Sequence, residues 1–257
     1  MHIIEHEGFP MMKKLLSYLL TPIHLIFFGL SLLIFDVLQR IALGIGGYSL
    51  HKKSVDYLNF LLTWSMVFLG SVPKWRQPHD LPTDRPLIVV SNHQSLYDIP
   101  PFFWYLRKHH IKFIAKKSLG KGVPSISFNL RNGKNAIIDR KDSRQALSAI
   151  KKLGEFIEKN HYAAVIFPEG TRSRTGKPKS FSPNGLKTLI KYAPSAVIVP
   201  VTINYSWKLV RYGKFPMDVF AQPTWDVHAP IDPEGRPFDE VFAEVEQQVV
   251  SSIETVD

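Results

Sequence analysis

Residues 15–35 carry no formal charge, and only Ser17, Tyr18, Thr21, Pro22, His24 and a few small residues interrupt their leucines, isoleucines and phenylalanines. Lys13-Lys14 precedes the run and Asp36 ends it. About 20 such residues match the hydrocarbon thickness of a bilayer, so the segment must sit in lipid or be buried on every side. No polar face is visible in it, which disfavours a core helix. A secretory signal would have a shorter apolar core and a small-residue cleavage site. A second run, residues 58–69, holds Phe60, Trp64 and Phe68. It is too short to span and reads as an interfacial or re-entrant helix, with Trp64 and Trp75 suited to the headgroup level. Lys13, Lys14, Arg40, Lys52 and Lys53 surround both runs. Each would be drawn to anionic lipid by about 1 kcal/mol near the surface. Residues 1–75 are therefore expected to form a membrane-anchoring helical segment, either spanning the bilayer or lying in one leaflet. The first ten residues read as a tail ahead of it.

The remaining residues, 76–257, suffice for one substantial core and predict a single layered α/β domain. The run 87–90 is a short β-branched strand that ends at Ser91-Asn92. Residues 144–158 place Leu147, Ile150, Leu153, Phe156 and Ile157 at helical spacing. Residues 163–167 read as a strand, 186–192 as a helix, 196–203 as a strand and 239–253 as an amphipathic helix. Strands alternating with helices give a layered domain whose functional loops lie at strand ends. The net charge of +10 points to a polyanionic partner: anionic lipid, a phosphorylated substrate or nucleic acid. Nucleic acid is disfavoured, because the charges are scattered, the aromatics cluster in the apolar segment and no binding motif is present. The chain contains no cysteine, which excludes a thiolate nucleophile, disulfides and a Cys-ligated zinc.

Two strand-to-loop segments carry the chemistry. In Asn92-His93-Gln94-Ser95-Leu96-Tyr97-Asp98, five helical steps would leave His93 and Asp98 about 140° apart on a regular helix. They can meet if His93 sits in the loop after the strand and Asp98 in a first helical turn, which Pro100 and Pro101 support. Asp98 could then hold one imidazole nitrogen and leave the other free as a general base. His and Asp at this spacing also arise by chance. The second segment, Phe167-Pro168-Glu169-Gly170-Thr171-Arg172-Ser173-Arg174, gathers backbone N–H groups and guanidinium forks suited to phosphate or an oxyanion. A solvated basic turn explains Arg174 and Lys177 equally well. A P-loop is excluded, since Gly176-Lys177 is followed by Pro178 where Ser or Thr is required. His109-His110, beside Arg107-Lys108, reads as the solvated end of a helix, and Pro200 as a strand-end feature.

Taken together, these blocks resemble the glycerolipid acyltransferase family, in particular bacterial 1-acylglycerol-3-phosphate acyltransferases. That family carries N-H-x-x-x-x-D and, downstream, F-P-E-G-T-R-S. Ile137-Ile138-Asp139-Arg140, Ile198-Val199-Pro200-Val201 and Ala115-Lys116-Lys117-Ser118-Leu119 resemble its smaller blocks, so the likeness runs over residues 86–203. The sequence departs from the family at Ser127, where many relatives have glycine, and at Ser118, where glutamate is usual. The resemblance implies that His93 deprotonates an acceptor hydroxyl while Asp98 holds its ring. The oxygen then attacks the thioester of acyl-CoA or acyl carrier protein directly. It further implies backbone oxyanion donors around Gly170, a phosphate clamp of Arg172 and Arg140, a substrate-binding place for Thr171, and a loop-fixing or glycerol-binding role for Glu169. Lys117 is a further candidate for phosphate or carrier, with a surface ion pair to its neighbours the alternative for Arg140. No metal or cofactor is called for beyond the acyl thioester. The implied partners are a lysophospholipid, the thioester donor and the bilayer, and the implied place is the cytoplasmic face of the inner membrane.

Overall fold

The computed structural model describes residues 8–254. Helix α1 (Gly8–Trp64) is broken at Gly47, whose φ of 57° and ψ of −150° suit only glycine. Its two halves fold back on each other: His24 Nδ1 reaches the Ser65 carbonyl at 3.0 Å, and Phe27 packs on Phe68 at 5.0 Å. The expected tail is corrected in part, since Gly8–Pro10 open this helix; residues 1–7 lie outside the described residues.

The apolar segment does have a polar face, and the helix turns it inward. Ser17, Thr21, His24, Ser31 and Gln39 are buried against the rest of the molecule. Leu15, Leu19, Ile26, Leu30, Leu33, Ile34, Val37, Ile41 and Ile45 are exposed on the outer side. Small polar residues three and four apart are hard to see among so many apolar ones, yet they fall on one stripe of a helix. The second apolar run is the end of α1 and a 3₁₀ turn over Ser65–Leu69. Leu58, Leu62, Met66 and Leu69 point into the protein, while Trp64, Val67 and Phe68 face outward. Trp75 stacks on Tyr105 at 5.0 Å.

The seven strands are β1 (Lys74–Arg76), β2 (Leu87–Ser91), β3 (Lys112–Lys116), β4 (Ala136–Ile138), β5 (Ala163–Ile166), β6 (Val197–Asn204) and β7 (Thr224–Val227). They form one sheet in the order β1-β7-β6-β2-β5-β3-β4, parallel except for the β6–β7 pair. Every residue of β2, β5 and β6 is buried, as expected for continuous apolar strands covered on both faces. Helices α4 (Ser143–Asn160), α5 (Pro183–Tyr192) and α6 (Phe238–Ser251) pack Ile150, Leu153, Leu186, Leu189, Val241 and Val245 on one side. On the other lie α2 (Ile99–Tyr105), the end of α1 and the loop around Met217. Helix α3 (Ile126–Asn132) leans on α1 at the β4 edge. Strands β1, β3, β4 and β7 and helix α3 had no clear signal in the sequence.

Pro200 is the fourth of eight residues in β6, which corrects its reading as a strand end. Its missing N–H falls where the pairing on that side is broken. Ile198 bridges Ile231, His228 N–H donates to the Pro200 carbonyl at 3.0 Å, and the β7 ladder begins at Val201. His109 and His110 are also corrected. His109 is buried, and the His110 ring stacks on Tyr162 at 4.3 Å within the α1–β3 contact. Burial pushes the His110 pKa down to about 4, helped by Lys52 and Lys112, so it is neutral near pH 7.

Candidate active site

The chain crosses from one half of the sheet to the other around β2, which lies between β5 and β6. Such a switch point leaves a crevice at the carboxyl ends of the strands. Val90 of β2 pairs with Ile166 of β5. His93 and Glu169 stand equally far beyond that pair, so parallel register alone brings the two motif loops together. They are locked at both ends: His93 N–H donates to Glu169 Oε1 at 2.7 Å, and Ser173 N–H donates to the His93 carbonyl at 2.7 Å. The imidazole lies flat on Phe167, with centroids 4.2 Å apart.

Asp98 is fully buried in a 3₁₀ turn ahead of α2, whose first turn holds Pro100 and Pro101. Its Oδ2 accepts from His93 Nδ1 at 2.8 Å and from the N–H groups of Gln94 at 2.6 Å and Ser95 at 2.9 Å. Its Oδ1 accepts from the hydroxyls of Ser95, at 3.2 Å, and of Ser206. A carboxylate with this many donors fixes the proton of His93 on Nδ1 and leaves Nε2 as the acceptor. Ser95 and Asp98 also form a capping box, so the carboxylate that orients the histidine also starts the helix. The Ser95-Leu96-Tyr97-Asp98 spacing carried that signal, although Ser95 was not singled out from the sequence.

Asn92 was part of the motif without a role. Its amide donates to the Ile203 carbonyl at 2.8 Å and accepts from the Ile203 N–H at 2.7 Å. The side chain thus continues the β2–β6 ladder one step beyond the strand. Trp225 Nε1 donates to the Asp98 carbonyl at 3.3 Å from behind.

A cavity of about 550 Å³ opens at His93. Arg140, Gly170, Thr171, Arg172 and Lys116 line its polar part. Leu58, Leu62, Phe103, Phe113, Ile126 and Leu130, from α1, α2, β3 and α3, line its apolar part. Arg140 and Arg172 are exposed at the mouth, and neither has a carboxylate partner among the described residues. The ion pair considered for Arg140 does not form, because Asp142 instead accepts from Gln145 N–H at 2.9 Å and caps α4.

Glu169 fixes the loop, accepting from His93 N–H and, at 2.9 Å, from Lys179 N–H. Burial raises its pKa against the pull of those two donors. Gly170, at φ 66°, closes a turn with its N–H on the Phe167 carbonyl at 3.0 Å. It therefore has no N–H to offer an oxyanion. The N–H groups of Thr171 and Arg172 carry no protein acceptor among the described residues and are the donors left in that loop. The Lys117 side chain is 74% exposed, pairs with Asp139 at 3.5 Å and leaves the cavity wall to Lys116. It follows the last strand residue, so it turns away where Lys116 turns in.

At a strand switch point, beside an apolar cavity, the α/β layer thus presents a partly buried histidine held by a fully buried aspartate, a pair suited to general-base chemistry. Residues 73–204, more than half of the chain, match the sequence model described as Acyltransferase, and the chain belongs to that family. Relatives include a 1-acyl-sn-glycerol-3-phosphate acyltransferase of Helicobacter pylori, 33% identical over 54% of this chain and 62% of that protein. Another, of Chlamydomonas reinhardtii, is 29% identical over 67% of this chain and 50% of that protein. The chain thus spans between half and two thirds of the length of these relatives. The crystal structure of the 1-acyl-sn-glycerophosphate acyltransferase from Thermotoga maritima shares the fold, with a TM-score of 0.77 at 24% identity. That match covers 94% of this chain and 96% of the other.

Proposed function

We propose that this chain acylates the sn-2 hydroxyl of 1-acyl-sn-glycerol-3-phosphate from acyl-CoA or acyl carrier protein, forming phosphatidic acid for phospholipid synthesis. The observation that carries the reading is the His93–Asp98 pair at the mouth of an apolar cavity flanked by two unpaired arginines. Arg172 and Arg140 would take the acceptor's phosphate, which guanidinium forks bind bidentately. His93 Nε2 removes the hydroxyl proton as the oxygen attacks the thioester carbonyl. The resulting imidazolium is held by Asp98, and the oxyanion by the N–H groups of Thr171 and Arg172. Collapse breaks the C–S bond, and His93 returns its proton to the leaving thiolate. The names of the relatives support this acceptor.

Helix α1 supports a position in one leaflet. Its polar stripe faces the protein along the first half and its outer face is apolar, which supports a helix lying along the bilayer surface rather than crossing it. Acyl-CoA and acyl carrier protein are cytosolic, and with either as donor this supports a site on the cytoplasmic face of the inner membrane. Transfer of radiolabelled acyl from acyl-CoA to 1-acylglycerol-3-phosphate by the detergent-purified chain tests the reading. His93→Ala should lose roughly 10²–10⁴-fold in rate while keeping its unfolding temperature. Absence of transfer by the parent with either carrier, or full activity in His93→Ala, would sink it.

A further inference from the structure

Among the described residues seven aromatic side chains are exposed, and all of them lie on two segments. Tyr18, Tyr57, Trp64 and Phe68 belong to α1 and its closing 3₁₀ turn, and Tyr212, Phe215 and Phe220 to the connection between β6 and β7. Singly exposed apolar groups are ordinary, but three aromatics within nine residues of one loop are not scattered. The loop is built against both halves of α1. Phe215 packs edge-on against Tyr18 at 5.6 Å, and Met217 N–H donates to Thr21 Oγ1 at 2.9 Å. Beyond the returning half, Phe220 N–H donates to the Leu69 carbonyl at 2.9 Å, and its ring fills the space that a Cβ on Gly70 would need. Tyr18 shares its turn with Leu15 and Leu19 on the exposed side of α1, so the loop extends the apolar surface of that helix.

The loop shows charge of one sign to solvent. Lys208, Arg211 and Lys214 are its cations, and Asp218 is its only carboxylate. Asp218 is buried, where it pairs with Lys13 Nζ of α1 at 3.0 Å and with Arg211 at 2.9 Å, pinning the loop to the helix. Arg211 and Lys214 are exposed, and Lys214 has no carboxylate partner among the described residues. Aromatic rings beside exposed cations suit the headgroup level of a bilayer, where the rings are half wetted and the cations meet anionic lipid. Leu15 and Leu19 carry the patch onto the aliphatic face of α1, which favours a bilayer over a protein as its cover. We propose that residues 208–220 form a second membrane contact, in which Tyr212 and Phe215 enter the headgroup level and Arg211 and Lys214 hold the phosphates of anionic lipids. The proposal rests on the reading that the outer face of α1 lies in one leaflet. Ser206, at the head of the loop, donates to Asp98, so a lipid-held loop also fixes the segment that supports the catalytic carboxylate.

The chain has no cysteine, so single fluorescent labels can be placed without background. One is attached to Tyr212→Cys, one to Leu33→Cys on the outer face of α1, and one to Lys152→Cys on α4, across the sheet. Each full chain is bound to mixed phosphatidylcholine–phosphatidylglycerol vesicles that contain lipids with a nitroxide on the headgroup or in the acyl chain. The label on Tyr212→Cys should be quenched chiefly by the headgroup nitroxide, that on Leu33→Cys by the acyl-chain nitroxide, and that on Lys152→Cys by neither. Quenching at Leu33→Cys with none at Tyr212→Cys overturns the second contact and leaves α1 in its leaflet. Quenching at Tyr212→Cys with none at Leu33→Cys keeps the loop contact and removes the α1 reading, and quenching at neither removes both. Lys214→Gln should bind these vesicles about fivefold more weakly than the parent, and phosphatidylcholine vesicles equally well. Its unfolding temperature and its activity in detergent should match the parent's, because Lys214 touches neither the core nor the cavity. Equal binding of Lys214→Gln and the parent to the anionic vesicles overturns the phosphate-holding role.

Discussion

Asn92 spans the gap where β2 ends, its amide donating to the carbonyl and accepting from the N–H of the same residue, Ile203. Replacing it with aspartate keeps the shape and removes the donor, setting a carboxylate oxygen against the Ile203 carbonyl. Asn92→Asp is expected to cost about 1–3 kcal/mol in urea unfolding and to lower kcat by loosening the loop that carries His93. Arg172 makes a different prediction. It has no protein partner and stands at the cavity mouth, so its loss should not touch stability. Arg172→Lys keeps the charge and loses the fork. The KM for the phosphorylated acceptor should rise roughly tenfold, with the unfolding temperature unchanged, as initial rates against acceptor concentration will show.

At the scale of elements, the returning half of α1 docks on β3 through a buried lysine. Lys112 Nζ donates to Tyr48 Oη at 2.8 Å and lies over the Tyr48 ring at 4.8 Å. Burial, with Lys52 nearby, pushes its pKa down to about 7, while Asp56 opposes the shift. The unfolded chain then holds this proton up to the free-lysine value of 10.5, whereas the folded chain sheds it near 7. Between those values the unfolded state binds more protons, so stability rises with pH. The unfolding temperature should therefore climb from about pH 7 to about pH 9, and Lys112→Met should flatten that climb. An unchanged slope in the variant would assign the dependence to other groups.

For the whole molecule, the outward face of α1 is a continuous apolar surface on a chain of net charge +10. Leu30, Leu33 and Ile41 are each at least half exposed there. With about half of each side chain left to bury, each would contribute about 1–1.5 kcal/mol in lipid. Replacing all three by serine should release the protein from sedimenting vesicles, while activity on lysophosphatidate dissolved in detergent stays near the parent's. Binding of the parent should also favour anionic over neutral vesicles and weaken with salt. Loss of detergent activity along with vesicle binding would show that the face serves the fold instead.

The sequence by itself determined the features that are local. The burial of β2, β5 and β6 follows from unbroken apolar runs, and α4 and α6 follow from their periodicity. His93, Asp98, Glu169, Gly170, Thr171 and Arg172 stand out because each lies within a few residues of a strand end, where a short motif carries the geometry. Tertiary structure decided whatever depends on distance along the chain. Ser206 reaches Asp98 across 108 positions and Ile203 meets Asn92 across 111, and no local pattern encodes either contact. The inward polar stripe of α1 became visible only once a surface was there to face it. Lys116 and Lys117 are chemically alike, and only the direction of the chain leaving β3 sends one into the cavity and the other into solvent. Spacing along a chain fixes angles over a turn or two of helix or a few residues of strand, whereas which elements meet is set by the packing of the whole core.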